Sequence, residues 1–316
     1  MRLVTFLRVG EPRLGAVANE QIIDLNAGYQ YLQERANTPR ARELAAAVLP
    51  PDILGFLAGG ESALAAAREV VQHITGVDNA ALTDKGIVYP LKTVTLKAPV
   101  PRPTKLILVG LNYRDHAEEA KMKTPEVPTL FSKYASSVIG PGEAIRVPKV
   151  SDKIDYEGEF AFVIGRRGKD IPKERAFDYV AGYTILNDVS CRDYQMKTTQ
   201  WMVGKTFDTF APMGPYLVLK DEISDPHNLD LTLRLNDQVM QHSNTRNLIF
   251  NVPDLIAYMS QVTRRRSLHR HAVRRRVRPQ TASAAQTWRY RTHRNLGSWR
   301  SRKSGDGGRL RDFHLM

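Results

Sequence analysis

Acidic residues cluster in the middle of the chain at a spacing that suits cation binding. Glu157 and Glu159 stand two residues apart, at the start of an apolar run (160–164) that is typical of a strand. Because alternate side chains of a strand point to the same face, both carboxylates are expected to project side by side. Two like charges so close are costly unless a cation lies between them. Asp188, which follows the apolar run 180–186, is placed to supply a third oxygen.

The predicted ligand set favours a hard divalent cation. Three carboxylates without histidine or cysteine suit Mg²⁺ or Mn²⁺ better than Zn²⁺. The alternative is that Glu157 and Glu159 line the solvated face of an edge strand, which is the usual situation of a bare Glu-x-Glu pair. The surrounding motifs favour the cation site over that alternative.

A second candidate group lies earlier in the chain. Residues 112–120 predict a short helix, on which His116 and Glu119 are three apart and therefore share a face. A carboxylate beside an imidazole holds its tautomer and raises its basicity, as in a general base with an orienting partner. The alternative is a surface ion pair.

Five motifs resemble the fumarylacetoacetate hydrolase (FAH) family in sequence, order and spacing. The resemblance covers roughly residues 100–262. The motifs are Val109-Gly-Leu-Asn-Tyr-Arg-Asp-His116, Phe131-Ser-Lys133, Asp155-Tyr-Glu-Gly-Glu159, Asn187-Asp-Val-Ser-Cys-Arg192 and Gly204-Lys-Thr-Phe-Asp208.

The resemblance implies a role for each matching residue. It implies that Mg²⁺ or Mn²⁺ is bound by Glu157, Glu159 and Asp188. It implies a catalytic set in which His116 and Glu119 activate water and Lys205 contacts substrate oxygens near the metal. Arg192 and Gln195 match residues that hold the substrate's carboxylate and keto oxygens, and a guanidinium fork suits a carboxylate. The remaining substrate-binding candidates are Asn112, Tyr113 and Lys133, the last being a predicted anion contact or else a solvated lysine.

The fold and reaction implied are also specific. The resemblance implies an α+β, predominantly β protein: a mixed β-sandwich roll with a small N-terminal α+β domain, forming a homodimer. It implies hydrolysis of a carbon–carbon bond in an acylpyruvate or another 2-oxo or 1,3-dioxo carboxylate, as in the catabolism of aromatic compounds. Decarboxylation, hydration or isomerisation of an oxaloacetate or hydroxymuconate-type substrate remain alternatives, and the His-x-x-Glu pair favours hydrolysis.

Composition indicates an ordinary globular protein. The chain has 316 residues, 42% of them hydrophobic, and a single cysteine, Cys191. No intrachain disulfide can form, which fits a reducing compartment. With no apolar run near the ~20 residues of a membrane span, we expect a cytoplasmic protein without a membrane partner. Cys191 is expected to be a packing residue rather than a nucleophile.

Three regions are predicted along the chain. Residues 1–97 read as an N-terminal cap domain with short strands and helices near 40–48 and 62–74. Residues 98–262 form the catalytic domain, incomplete at its C-terminal end, and residues 263–316 form an Arg-rich tail that is expected to be disordered. Near the end of the catalytic domain, Asn236-Asp237 predicts a hairpin turn, and Pro253 fits the first turn of a helix.

The tail carries the basic character of the chain. Residues 263–316 hold 16 Lys and Arg and two Asp, which leaves 30 basic and 31 acidic residues in 1–262. One interpretation is a non-enzymatic nucleic-acid-binding protein that uses this arm; without a genuine tail, no nucleic-acid partner is expected. Another is an inactive member of the family.

The preferred hypothesis is a shift of reading frame after about residue 262. The family normally ends with Thr-Gly-Thr-Pro-Ser-Gly-Val-Gly, then Lys-Pro-Pro, then a Lys-x-Gly-Asp strand. Read one base later, the codons for 269–277 allow Thr-Gly-Thr-Pro-Ser-Gly-Val-Gly-Phe. Those for 280–282 and 286–290 allow Lys-Pro-Pro and Lys-Pro-Gly-Asp-Ile, in order and in register. The hypothesis predicts that this form of the chain folds poorly or is inactive.

Overall fold

A computed structural model of the protein describes residues 1–75, 79–119, 123–262, 270–273, 286–291, 297–300 and 312–313. The described chain begins with three antiparallel strands, a helical layer and two short strands. These elements are β1 (Arg2–Arg8), β2 (Glu11–Ala18), β3 (Gln21–Asp24), α1 (Leu25–Arg35), α2 (Ala41–Val48), α3 (Ile53–Ile74), α4 (Asn79–Asp84), β4 (Val88–Pro90) and β5 (Leu96–Lys97).

Aspartate caps begin two of these helices. The Asp24 carboxylate accepts a hydrogen bond from Ala27 N and starts α1, and Asp52 accepts from Leu54 N and Gly55 N and starts α3. Each cap satisfies main-chain donors that have no partner within the helix. The sequence interpretation missed α1, because its asparagine, glycine and two tyrosines give a weak helical signal.

The middle of the chain is mostly strands joined by short helices. In chain order these are β6 (Leu106–Gly110), α5 (Arg114–Glu119), β7 (Thr129–Lys133), β8 (Val138–Ile139), β9 (Ile145–Arg146), β10 (Ile154–Asp155), β11 (Gly158–Ile164), β12 (Val180–Asn187), β13 (Ser190–Cys191), α6 (Arg192–Gln195), α7 (Met202–Lys205), β14 (Ala211–Pro212), β15 (Leu217–Leu219), β16 (Asp230–Leu235), β17 (Gln238–Asn244) and α8 (Val252–Val262). Short 3₁₀ segments lie at Leu91–Thr93, Ala135–Ser137, Lys173–Tyr179, Lys220–Glu222 and Thr245–Asn247.

One large sheet joins the regions predicted as separate domains. Within the described residues its order is β4-β3-β2-β1-β15-β12-β11, and β5 also pairs with β1. Arg2 and Leu3 of β1 pair antiparallel with Val218 and Leu217 of β15. The predicted boundary at residue 97 is therefore not a break in the sheet, and the division into domains stays a prediction.

Strand β11 is buried on both faces, which explains its uninterrupted apolar sequence. Ala161 and Val163 contribute to a core that includes residues of α3, whereas Phe160 and Phe162 contribute to a second core that includes residues of α8. This alternation is the two-residue period of a strand. The chain thus packs helices against both faces of its central sheet, in agreement with the predicted α+β, predominantly β fold.

The predicted hairpin and final helix are confirmed. Strands β16 and β17 pair antiparallel with Leu235 opposite Gln238. Asn236 and Asp237 form the two-residue turn with φ of 50° and 64°, the positive values that this type of tight turn requires. Pro253 is the second residue of α8.

The described residues beyond Val262 form four strands: β18 (Arg270–Val273), β19 (Gln286–Arg291), β20 (Gly297–Arg300) and β21 (Asp312–Phe313). Strand β18 pairs antiparallel with β11 and parallel with β6, so the sheet continues through β18 to β6 and β7. Strand β19 pairs with β16. At these strands the structure differs from the predicted disorder. The reason is that ladder hydrogen bonds use main-chain groups, which every non-proline residue carries.

No single helix among the described residues is long and apolar enough to cross a membrane. Ala41–Val48 and Ile53–Ile74 reach the required length and composition only as a pair, and the two helices meet at 94°.

Candidate active site

The pairing of β11 with β12 brings distant acidic residues together. Gly158 lies opposite Asn187 in the antiparallel register, so the residues flanking Gly158 face the end of β12. Asp188 N donates to Glu157 O at 2.8 Å, and Glu157 N donates to the Asn187 side-chain oxygen at 3.1 Å. Glu157 and Asp188 are thereby held beside each other at the strand ends, with Glu159 one residue beyond Gly158.

All three predicted metal ligands are fully buried. Glu157, Glu159 and Asp188 are each 0% exposed. Lys205 Nζ lies 2.7 Å from Glu157 Oε2 and 2.9 Å from Asp188 Oδ2. Lys133 Nζ lies 2.6 Å from Asp188 Oδ1 and donates to Val189 O. Buried charges are stable only when they are paired, and two buried ammonium groups supply that pairing for Glu157 and Asp188.

Arg192 extends this charged cluster on one side. Its Nε and Nη2 atoms donate to Asp155 Oδ2 at 2.8 and 2.5 Å, and its Nη1 atom donates to Glu157 Oε1 at 2.5 Å. Nη1 also donates to Gln195 Oε1 at 2.9 Å. Burial alone would lower the pKa of Arg192, but Glu157 and Asp155 outweigh it and raise that pKa. Burial raises the pKa of Asp155, and Arg192 opposes that shift.

The donor chemistry of the cluster fits a hard divalent cation. In the described residues, four buried carboxylates meet three cationic groups, which leaves one formal negative charge. The groups are Asp155, Glu157, Glu159 and Asp188 against Lys133, Arg192 and Lys205. Carboxylate oxygens are the ligands that Mg²⁺ and Mn²⁺ prefer.

The same carboxylates have an ammonium group as their near neighbour. Across the described ranges, no three Asp, Glu, His or Cys side chains surround a common point as metal ligands would. Lys205 Nζ instead bridges Glu157 and Asp188. A cation bound by Glu157, Glu159 and Asp188 would therefore replace the ammonium of Lys205 between two of them.

The segment that carries the predicted dyad is anchored through its first residues. Asn112 Nδ2 donates to Phe250 O at 3.0 Å, and Phe250 N donates to Asn112 Oδ1 at 2.8 Å. Tyr113 is 0% exposed and pairs with Leu248 in an isolated bridge. Asn112 and Tyr113 thus hold the start of α5 against the segment that follows β17. Their predicted substrate contacts remain predictions.

Helix α5 places residues 116 and 119 three apart along one turn, as the sequence predicted. The side chains of His116 and Glu119 lie outside the part of the structure that is described. Their pairing as a catalytic dyad therefore stays a prediction, which rests on their position in the helix and on the family motif.

Several residues of the cluster were missed from sequence. Gln241 Oε1 accepts from Gly158 N at 2.9 Å, and Gln241 Nε2 donates to Gly158 O at 3.0 Å. Ser190 Oγ accepts a hydrogen bond from Lys205 Nζ. Ser243 Oγ donates to Asp115 Oδ2 at 2.7 Å. A usable signal existed on β17, because Gln241 and Ser243 occupy alternating positions where a strand beside a core normally carries apolar residues.

Cys191 is a buried side chain whose thiol is protonated at neutral pH. It is 0% exposed, and burial raises its pKa to about 11. Its Sγ atom lies 3.1 Å from Asp193 Oδ1. Since the thiolate is the reactive form of cysteine, these contacts favour the predicted packing role.

Comparison with known proteins decides the family. The profile described as Fumarylacetoacetate (FAA) hydrolase C-terminal matches residues 105–269, which contain every residue of the cluster. The chain belongs to the fumarylacetoacetate hydrolase family. Members of this family are enzymes, and the recognition made from the motifs is confirmed.

Several curated relatives of the chain are named as oxaloacetate tautomerases. "Oxaloacetate tautomerase fahd2, mitochondrial" of Xenopus laevis is 42% identical over 270 residues, covering 83% of this chain and 75% of that protein. "Oxaloacetate tautomerase Fahd2a, mitochondrial" of Rattus norvegicus is 46% identical over 214 residues, covering 67% of this chain. The match spans 65% of the rat protein, slightly under two thirds of its length.

Solved FAH structures share the fold. Maleylpyruvate hydrolase from Sphingobium sp. SYK-6, solved with manganese(II) and pyruvate, has a TM-score of 0.66 and 26% identity. It matches 95% of this chain and 97% of its own. 5-Carboxymethyl-2-hydroxymuconate delta-isomerase from Mycobacterium smegmatis has a TM-score of 0.66 and 26% identity, covering 95% and 98%. The predicted fold class is thereby confirmed.

Proposed function

We propose that this protein is a metal-dependent enzyme that interconverts the keto and enol forms of oxaloacetate or a closely similar 2-oxo dicarboxylate. The observation that carries the proposal is the buried cluster in which Lys205 bridges Glu157 and Asp188. The names of the relatives at 42% and 46% identity support the choice of oxaloacetate.

Tautomerisation needs stabilisation of negative charge on one oxygen. When a proton leaves C3 of oxaloacetate, charge develops on the C2 oxygen as the enolate forms. A divalent cation held by Glu157, Glu159 and Asp188 would supply Lewis-acid stabilisation of that oxygen. Lys205, fully buried beside two of these carboxylates, would donate a hydrogen bond to the same oxygen, and a preorganised donor in a dry site is effective.

The charge of the cluster also favours a dianionic substrate. The described groups carry one formal negative charge, so a divalent cation would turn the cluster to one net positive charge. Oxaloacetate, with two carboxylates, is then attracted into the site. Lys133 and Arg192 supply two of the positive charges in this sum, and their present partners are Asp188, Asp155 and Glu157.

Proton transfer is assigned to helix α5. His116, oriented by Glu119, would take the proton from C3 and return it to the C2 oxygen of the enolate, which gives the enol. A general base must lie within hydrogen-bond reach of the proton that it removes. The placement of residues 116 and 119 on one helical turn supports this assignment.

A second candidate is hydrolysis of a carbon–carbon bond in an acylpyruvate. The similarity to maleylpyruvate hydrolase, which extends over 95% of this chain, and the His-x-x-Glu spacing favour it. In this reaction the same dyad would activate water to attack the distal carbonyl, and the enolate would be the leaving group. Decarboxylation, hydration and isomerisation use the same enolate stabilisation, so the substrate assay has to separate them.

The test is a set of substrate assays on the purified chain and on its frame-restored counterpart. We expect Mn²⁺-dependent acceleration of oxaloacetate enolisation, followed by ultraviolet absorbance of the enol, and loss of that acceleration in Asp188→Asn. Hydrolysis of acetylpyruvate or maleylpyruvate without oxaloacetate turnover would favour the second candidate. Failure on all these substrates by both proteins would contradict an enzymatic role of this kind.

A further inference from the structure

Strand β17 touches both halves of the candidate active site through one face. Gln241 and Ser243 are two residues apart on this strand, and alternation places them on the same side. They are only 2% and 5% exposed. Buried polar side chains persist where they have hydrogen-bond partners, and both partners here belong to the candidate site.

The side-chain amide of Gln241 bonds to the main chain of Gly158 as the backbone of a neighbouring strand would. Its amide accepts from Gly158 N at 2.9 Å and donates to Gly158 O at 3.0 Å, so it satisfies both main-chain groups of that residue. Gly158 is the residue between Glu157 and Glu159. Fixing its peptide groups fixes the directions in which the two carboxylates leave the chain.

Ser243 makes the equivalent contact with helix α5. Its hydroxyl donates to Asp115 Oδ2 at 2.7 Å, and Asn247 Nδ2 donates to the same oxygen at 3.4 Å. Asp115 precedes His116 and lies in the first turn of α5. The contact therefore holds the helix that carries the predicted dyad to the same strand that holds Gly158.

We propose that Gln241 and Ser243 are positioning residues that set the distance between the carboxylate cluster and helix α5. Residues two apart on a strand are separated by about 6.6 Å of rigid backbone, which gives the two anchors a fixed spacing. This inference rests on the proposed function, in which the cation ligands and the proton-transfer group act on one substrate. Catalysis of that kind is sensitive to displacements of about 1 Å.

The two anchors predict separable effects. Gln241→Met loses both hydrogen bonds to Gly158 at nearly constant volume, and we expect Mn²⁺ affinity to fall about tenfold, since ligand-supporting contacts have effects of that size. Ser243→Ala instead removes the shorter of the two hydrogen bonds to Asp115 Oδ2, the one at 2.7 Å, and leaves that from Asn247 at 3.4 Å. We expect unchanged Mn²⁺ affinity, a kcat lowered about tenfold with an unchanged KM for oxaloacetate, and faster amide exchange in α5.

The experiment combines Mn²⁺ titration, followed by electron paramagnetic resonance, with hydrogen exchange of the peptide covering residues 112–119. The Ala117 amide reports on α5, because it donates to Tyr113 O at 3.0 Å. Gln238→Met, at an exposed position of the same strand, is the matched control for Gln241→Met. Ser243→Thr retains the hydroxyl and is expected to restore slow exchange.

The outcomes separate positioning from general packing. Loss of Mn²⁺ affinity only in Gln241→Met, with faster exchange only in Ser243→Ala, supports the proposal. Equal changes in both measurements for both variants, or no change in either, would overturn it. Wild-type protein that binds no Mn²⁺ would contradict the proposed function and the role of Gln241, and hydrogen exchange would still decide the role of Ser243.

Discussion

Residues 1–262 and residues 263–316 are joined to the fold by different chemistry. In the first region, side chains make the decisive contacts: buried apolar faces, aspartate caps and the charged cluster around Glu157. In the second, the contacts described are main-chain pairs, such as those of β18 with β11 and β6. The formal charges differ as sharply, at −1 and +14.

The first region carries the residues of the candidate site, and the second region adds a strand to the sheet. The buried acids and their cationic partners all lie before residue 262, so the chemistry of the site is encoded in the first region. Strand β18 lies between β11 and β6. Strand β11 carries Glu159 of the acid cluster, and β6 leads into helix α5. We therefore expect the second region to affect the arrangement of the site, through β18, rather than its charges.

The largest expected effect follows removal of the second region. A chain ending at Val262 would leave the facing edges of β11 and β6 without the strand that pairs with both. Unpaired strand edges promote aggregation, and we expect at least a tenfold loss of soluble protein. Soluble yield after centrifugation measures this, with the full chain as control. Equal yields would show that β18 contributes little, and the comparison of the two regions would fail.

Restoring the reading frame is the next test. Shifting the frame by one base after codon 262 would allow the Thr-Gly-Thr-Pro segment and the Lys-x-Gly-Asp strand with which, by the resemblance, the family ends. We expect a higher melting temperature and higher turnover than the present chain shows. Calorimetry and the enolisation assay measure these quantities. No gain in either would mean that the basic tail belongs to the working protein.

Loss of one buried cation tests how the first region stabilises its acids. Lys205→Met leaves Glu157 and Asp188 without the ammonium between them. Removing one partner of a buried ion pair typically costs about 3–5 kcal/mol of stability. We expect the free energy of unfolding, measured in urea, to fall by this amount in Lys205→Met. Lys153→Met removes a lysine that pairs with exposed Asp152 and is the control, with an expected change in the free energy of unfolding within about 0.5 kcal/mol.

The same variant sharpens the metal assignment. If Mn²⁺ and the Lys205 ammonium neutralise the same carboxylates, Mn²⁺ should raise the melting temperature of Lys205→Met by more than that of the wild type. An equal rise in both proteins would indicate that the ion binds elsewhere.

The smallest effect is expected at the last helix of the first region. Val252 N, in the first turn of α8, donates to His227 Nε2 at 3.1 Å, which requires the neutral imidazole. Burial lowers the pKa of His227, while Asp225 and Asp254 oppose the shift. A pKa that is lower in the folded state means that this contribution is complete above the unfolded value near 6.5 and is lost as the pH falls below it.

Stability curves measured between pH 8 and pH 5 test this contact. Between pH 8 and pH 5 we expect the free energy of unfolding of the wild type to fall by about 1 kcal/mol more than that of His227→Gln, because a helix cap typically contributes that much. Gln can accept the same hydrogen bond without titrating. Parallel curves for the two proteins would show that protonation of His227 does not weaken α8.

Much of the fold was predictable because its signals are local. The apolar runs beside the acidic motifs predicted β11 and β12. Asn236-Asp237 predicted the hairpin turn, and Pro253 predicted the start of α8. Helix α1 was missed because asparagine, glycine and two tyrosines weaken the helical signal of its first seven residues. The tail strands were missed because main-chain pairing leaves no mark on side-chain type.

The site was predictable only as far as residue chemistry is visible in sequence. Glu157, Glu159 and Asp188 were identified by their motifs, and the structure buries all three. The pairing of Lys205 with Glu157 and Asp188 depends on tertiary contacts, as does that of Arg192 with Asp155. Gln241 was missed because it acts on the main chain of a residue 83 positions away.

The most direct test of the central claim is oxaloacetate enolisation by protein stripped with a chelator and then reloaded with Mn²⁺, using wild type and Glu159→Gln. We predict that the stripped wild type is inactive, that Mn²⁺ restores its activity, and that Glu159→Gln stays at least 100-fold slower, as typical for loss of the main electrostatic contribution. Equal rates with and without Mn²⁺, or full activity in Glu159→Gln, would contradict a cation-dependent role for the buried acid cluster.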